Sequence, residues 1–161
     1  MKFALLISPL FLVGMVSAAQ AHITFENHQA AVGGTVKAVL QVGHGCEGSD
    51  TTRIRVRIPE GVLSAKPQPK AGWTLAVTPD AAGGVREIAW TGDLPDAWYD
   101  EFTFRATLAS TLKVGDTLYF PVVQECKKGV ARWIDTSGKA HADGPAPGLK
   151  LTAPTSTGHH H

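Results

Sequence analysis

Methionine is nearly missing from this chain. Met1 and Met15 are the only two, and both fall within the first 21 residues. Whatever follows that stretch has no thioether and cannot build a methionine-lined Cu(I) site. An excess of charge of either sign is missing too. The 15 basic residues include Lys2, so 14 remain after residue 21 against 14 acidic ones. A formally neutral chain without a Lys/Arg cluster is no electrostatic partner for nucleic acid. Long apolar runs are absent: Phe3 to Val16 is too short for a span of about 20 residues, and no second run follows. No window sustains a capped 3.6-residue apolar period, which excludes a helical domain. No Ser/His/Asp set, phosphate-binding loop or paired-carboxylate signature stands out, so hydrolase and phosphoryl-transfer chemistry lack support.

Residues 1–21 have the pattern of a secretory signal peptide. Lys2 gives the positive start, Phe3–Val16 the apolar stretch, and Ala19-Gln20-Ala21 the small-residue cleavage site. An uncleaved amino-terminal anchor is the alternative. Cleavage after Ala21 leaves residues 22–161, enough for one domain with a real core. The expected location is periplasmic or secreted, with no stable membrane anchor. Cys46 and Cys126 are the only cysteines. In an oxidising compartment two thiols form one disulfide, here closing a loop of about 80 residues worth roughly 4 kcal/mol. A pair of metal thiolates is the rival reading.

The mature stretch is expected to be all-β: a two-sheet sandwich of eight or nine strands, immunoglobulin-like or cupredoxin-like. Short alternating segments recur between Gly, Pro, Asp and Ser. Thr52–Pro59 is the cleanest, with Ile54, Val56 and Ile58 on one face and Arg53, Arg55 and Arg57 on the other. His22–Glu26, Thr35–Val42, Trp73–Thr78, Val85–Thr91, Glu101–Leu108, Leu118–Val123, Val130–Asp135 and Leu149–Thr152 complete the set. Gly61–Lys70, with Pro67 and Pro69, reads as irregular. The domain is expected over 22–153 and a disordered tail over 154–161. His159–His161 are either a partial tag or a native metal-gathering tail.

Cleavage after Ala21 makes His22 the first residue. Its free α-amine, with a pKa of about 7.7–8.0, can then close a chelate ring with the imidazole Nδ1 on one metal ion. Nitrogen donors of this kind suit Cu(II). Two nitrogens do not complete a site. His44, in the Gly43–Asp50 loop beside Cys46, is the strongest further candidate. His28, His141, Glu47, Gln29 and Asp143 are others. Glu26 shares a strand face with His22, but four residues of strand put it roughly 13 Å away.

In order and spacing, the chain resembles the YcnI-like copper-binding domain family of exported bacterial proteins. The resemblance rests on His22-Ile23-Thr24, on His44-Gly45-Cys46-Glu47-Gly48-Ser49 leading into Thr51–Val62, and on Gly72-Trp73 and Glu101-Phe102-Thr103-Phe104. It continues through Pro121, Gln124-Glu125-Cys126 and Gly129-Val130-Ala131-Arg132-Trp133. It implies a β-sandwich holding Cu(II) on a single-histidine brace, with a tryptophan beside the metal. Carried over, the brace is His22 and the tryptophan Trp133. Family members often have a carboxylate seven residues after the brace; here that position is Gln29.

The expected function is therefore copper storage, buffering or transfer by a non-enzymatic exported protein. Its expected partners are the copper ion and another periplasmic copper chaperone or transporter. Two alternatives stay open. One is a metal-free structural or interaction sandwich. The other is a copper-dependent oxidative enzyme, which would need a second histidine and an extended substrate face.

Overall fold

The computed structural model describes residues 22–139 and 144–154. The expected leader, His141, Asp143 and the tail beyond Pro154 lie outside the described residues. Within them the chain forms twelve strands: β1 (Thr24–Phe25), β2 (Gln29–Ala31), β3 (Thr35–Val42), β4 (Thr51–Arg57), β5 (Val62–Pro67), β6 (Thr74–Pro79), β7 (Val85–Leu94), β8 (Asp100–Leu108), β9 (Thr117–Tyr119), β10 (Val122–Cys126), β11 (Val130–Trp133) and β12 (Gly148–Thr152). No helix among the described residues is long and apolar enough to cross a membrane.

The all-β expectation holds, with a higher strand count than the eight or nine expected. A four-stranded sheet runs β1-β3-β8-β5, and a five-stranded sheet runs β11-β10-β4-β7-β6. Their inner faces share one core. Ile54, Val56, Ile88 and Trp90 come from the larger sheet; Leu40, Phe102, Phe104 and Ala106 come from the smaller. All eight are fully buried. Each large side chain among them contributes about 1.5–3 kcal/mol of transfer free energy. The arginines of β4 face outward as the alternation requires, and Arg55 pairs with Glu87 at 3.0 Å and Glu125 at 3.2 Å.

A third sheet, β2-β12-β9, accounts for part of the excess strand count. The segment expected as one strand over Leu118–Val123 is broken at Phe120-Pro121. Proline has no amide hydrogen to continue a ladder, and the chain changes sheets there. β9 pairs with β12, while β10 pairs with β4 and β11. β5 lies within the stretch expected to be irregular. It is the outer strand of its sheet, so Pro67 ends it without removing a hydrogen bond from a central strand.

Candidate metal centre

The strands β1 and β11 are each the outer member of their sheet, and His22, two residues before β1, reaches Trp133 at the end of β11. His22 is exposed and one residue from the buried Ile23. The two rings stand edge to face, with centroids 5.4 Å apart and planes at 86°. Trp133 is buried to 7% exposure and belongs to the core. It is thus both a core tryptophan and the neighbour of His22.

The indole is held from behind. Its Nε1–H donates to Gln124 Oε1 at 3.2 Å. Gln124 lies on β10 and is wholly buried. Its Nε2 donates to Thr51 Oγ1 at 2.8 Å and to the His44 carbonyl at 2.7 Å. The indole, which can only donate, and the His44 carbonyl, which can only accept, fix which amide atom is oxygen and which is nitrogen.

The Gly43–Asp50 loop is fixed at several points. Cys46 is disulfide-bonded to Cys126, with Cα atoms 6.0 Å apart. The expected disulfide is therefore present, and the thiolate-pair alternative is excluded. Cys46 and Ser49 exchange backbone hydrogen bonds of 3.0 and 2.9 Å around Glu47 and Gly48. Both central residues have positive φ, 50° and 82°, as the tight hairpin turn requires. Gly45 has no alternative, since a Cβ there would lie 1.8 Å from the Ser49 carbonyl oxygen. Its amide donates to Asp96 Oδ1 at 2.8 Å. Lys127 bridges Asp50 and Asp93, each at 2.9 Å. The hydrogen bond from Lys127, with that from the Asp96 amide, lowers the Asp50 carboxyl below its usual range; the same pairing raises Lys127.

His44 and Trp133 line one cleft of about 700 Å³, together with Glu47, Asp96, Lys128 and Arg132. The His44 ring turns back on its own chain, its Nδ1 2.5 Å from the Gly45 carbonyl oxygen. A nitrogen facing a carbonyl carries the hydrogen, so the neutral ring presents a lone pair at Nε2. That Nε2 is buried and has no hydrogen-bond partner. Trp133 thus touches His22 and shares this cleft with His44. The donor set for a metal is partial: among the described residues no three His, Cys, Asp or Glu side chains gather in a group able to hold an ion.

Residues 22–151 match the family described as a domain of unknown function, DUF1775. This chain belongs to the DUF1775 family. A search of curated proteins returned no match. Among solved structures, the DUF1775 domain is similar to an uncharacterized protein from Nocardia farcinica with an immunoglobulin-like fold. The TM-score is 0.70 at 26% identity, over 82% of this chain and 99% of that one. Of the two sandwich types expected, the immunoglobulin-like one is thereby shown. A fainter likeness, to the seventh type I cohesin of ScaB from Pseudobacteroides cellulosolvens, has a TM-score of 0.47 at 11% identity and covers 87% and 97%.

The remaining candidates scatter over the DUF1775 domain. Gln29 and exposed His28 lie at β2, in the third sheet, where the His28 carbonyl accepts from the Lys150 amide at 2.8 Å. Glu26 is exposed beyond β1. Glu47 sits at the tip of the tight turn. In the sequence Gln124 stands only within the Gln124-Glu125-Cys126 motif, which does not by itself mark a role for it. The available signal was its parity: Val122 and Gln124 share the inward face of an alternating strand, so an amide had to be buried there.

Proposed function

We propose that the mature protein is an exported copper-binding protein of the YcnI-like kind. In this reading His22, freed at its amino terminus, holds Cu(II) through its amine and imidazole nitrogens. The single observation that carries the reading is the edge-to-face contact of His22 with buried Trp133. His22 is seated against the residue that the resemblance puts beside the metal. Membership of the DUF1775 family and the disulfide are compatible with export and with that resemblance. Residues 1–21, read as a signal peptide, would expose the amine.

Bound there, Cu(II) would be a nitrogen-ligated ion with an aromatic face limiting water on one side. The protein would store, buffer or pass on copper to a periplasmic chaperone or transporter, and it would not catalyse a reaction. His44 Nε2 is a further nitrogen, on a residue that lines the same cleft as Trp133. The test is a Cu(II) titration of protein beginning at His22, confirmed by mass and lacking residues 159–161. Tight one-to-one binding is expected, and its absence sinks the reading. A second reading, a metal-free interaction sandwich, has one observation in its favour: no three-residue metal-binding group exists among the described residues. Weak, non-stoichiometric uptake would favour it.

A further inference from the structure

We infer that Gln124 is a positioning residue: from inside the core it sets the Trp133 indole against the His22 imidazole and ties that pair to the Gly43–Asp50 loop. The inference rests on the copper reading only for what the pair is used for. The positioning itself is a property of the metal-free protein.

Gln124 and Thr51 are the only buried polar side chains among the described residues, and they are bonded to each other. A primary amide in an apolar core is costly unless every polar atom finds a partner. Here the oxygen accepts one hydrogen bond and the nitrogen donates two. A network satisfied to this degree has one arrangement, and it rigidifies what it touches.

The second core tryptophan shows that such a residue is not needed merely to satisfy an indole. Trp90 is also fully buried, and its Nε1–H donates to a backbone carbonyl, that of Gln68, at 3.1 Å. A main-chain acceptor would have served Trp133 as well. The amide adds a junction. It links β11 through Trp133, β4 through Thr51, and the disulfide-bridged loop through the His44 carbonyl. The symmetry is close, since His44 lies two residues before Cys46 and Gln124 two before Cys126. The disulfide clamps the segments that the amide bridges. Within this junction the Trp133 ring cannot rotate without breaking its bond to Gln124, so the ring that meets His22 is held in place.

The test uses the mature chain with its tryptophans labelled as 5-fluorotryptophan. The Trp133 ¹⁹F resonance is assigned from Trp133→Phe, and the His22–Trp133 proximity is read from a proton nuclear Overhauser contact in unlabelled protein. In metal-free Gln124→Met, which keeps the volume and removes the amide, the Trp133 resonance is expected to shift and broaden. The other three are expected to stay in place and the His22 contact to disappear. An unmoved Trp133 resonance with an intact His22 contact overturns the inference. Should Gln124→Met fail to fold, Gln124→Leu removes the same amide, and with it the bond to Trp133, with a side chain of a different shape. A weakened His22–Trp133 contact supports the inference, and an unchanged one overturns it. Adding Cu(II) to wild type then separates the two ideas. If copper binds, Trp133 is the first resonance broadened in wild type and loses that priority in Gln124→Met. If copper does not bind, the function proposal fails while the metal-free result still decides the role of Gln124.

Discussion

Replacing both cysteines, as Cys46→Ala/Cys126→Ala, tests how much of the stability of this sandwich comes from one cross-link. The bridge closes a loop with a sequence separation of 80. In the chain-entropy model, a loop that size restricts the unfolded chain by about 4.5 kcal/mol at 25 °C. The native state has other ties at the same place: the β10–β4 ladder and the Lys127 bridges to Asp50 and Asp93. These persist without the sulfurs, so the folded structure is expected to survive and the loss to act through the unfolded state. For a domain of this size, each kcal/mol moves Tm by about 4 °C, which puts the fall at about 15–20 °C. Calorimetry and urea unfolding, checked for two-state agreement, measure it. The urea m-value is expected to rise, because an uncross-linked chain exposes more surface when unfolded. A loss under about 1.5 kcal/mol with an unchanged m-value would refute the reasoning. It would mean that the loop ends stay together in the unfolded chain without the bond.

Two further outcomes follow from the same loop and its neighbour. The carboxyl of Asp50 is lowered by its hydrogen bonds from Lys127 and the Asp96 amide, so its contribution is present above about pH 4 and is lost as pH falls through its lowered value; the protection of amides in residues 43–50, relative to their unfolded exchange rates, should fall in that acid window, and Asp50→Asn should lessen that fall. Trp133→Phe leaves the buried Gln124 oxygen without its donor, so about 1–3 kcal/mol of stability should be lost; with copper bound, its reduction potential should move more than its affinity, whereas a pure loss of stability would make Trp133 a core residue only.

The parts of the fold that could be read in advance were those where one side of a strand is buried and the other wet. Ile54, Val56 and Ile58 against Arg53, Arg55 and Arg57 is such a case, as is Phe102, Phe104 and Ala106 in β8. There the period of two is a direct image of the two environments. β2 escaped notice because three residues are too few to show a period, and its parallel partner β12 lies more than a hundred residues away. β5 escaped because Pro67 and Pro69 look disruptive, and only its place at the sheet edge makes Pro67 harmless. The run Leu118–Val123 looked like one strand because its residues stay apolar while its hydrogen-bonding partners change at Pro121. The site divides in the same way. His22 and the cysteines were visible as chemistry tied to processing and compartment. The seating of His22 on Trp133 depends on the fold bringing position 22 against the end of β11, more than a hundred residues on, and that of Trp133 on Gln124 depends on the pairing of β10 with β11. No local pattern encodes either contact.

The claim that matters most is that His22 acts as an amino terminus. It is tested by comparing Cu(II) affinity of the chain beginning at His22 with that of a chain carrying one extra glycine before it. The extra residue turns the amine of His22 into an amide and leaves the imidazole, Trp133 and the fold untouched. The account predicts that the extended chain loses most of its affinity while its thermal unfolding without metal is unchanged. Equal affinity of the two chains would contradict it and move any copper site away from the amino terminus.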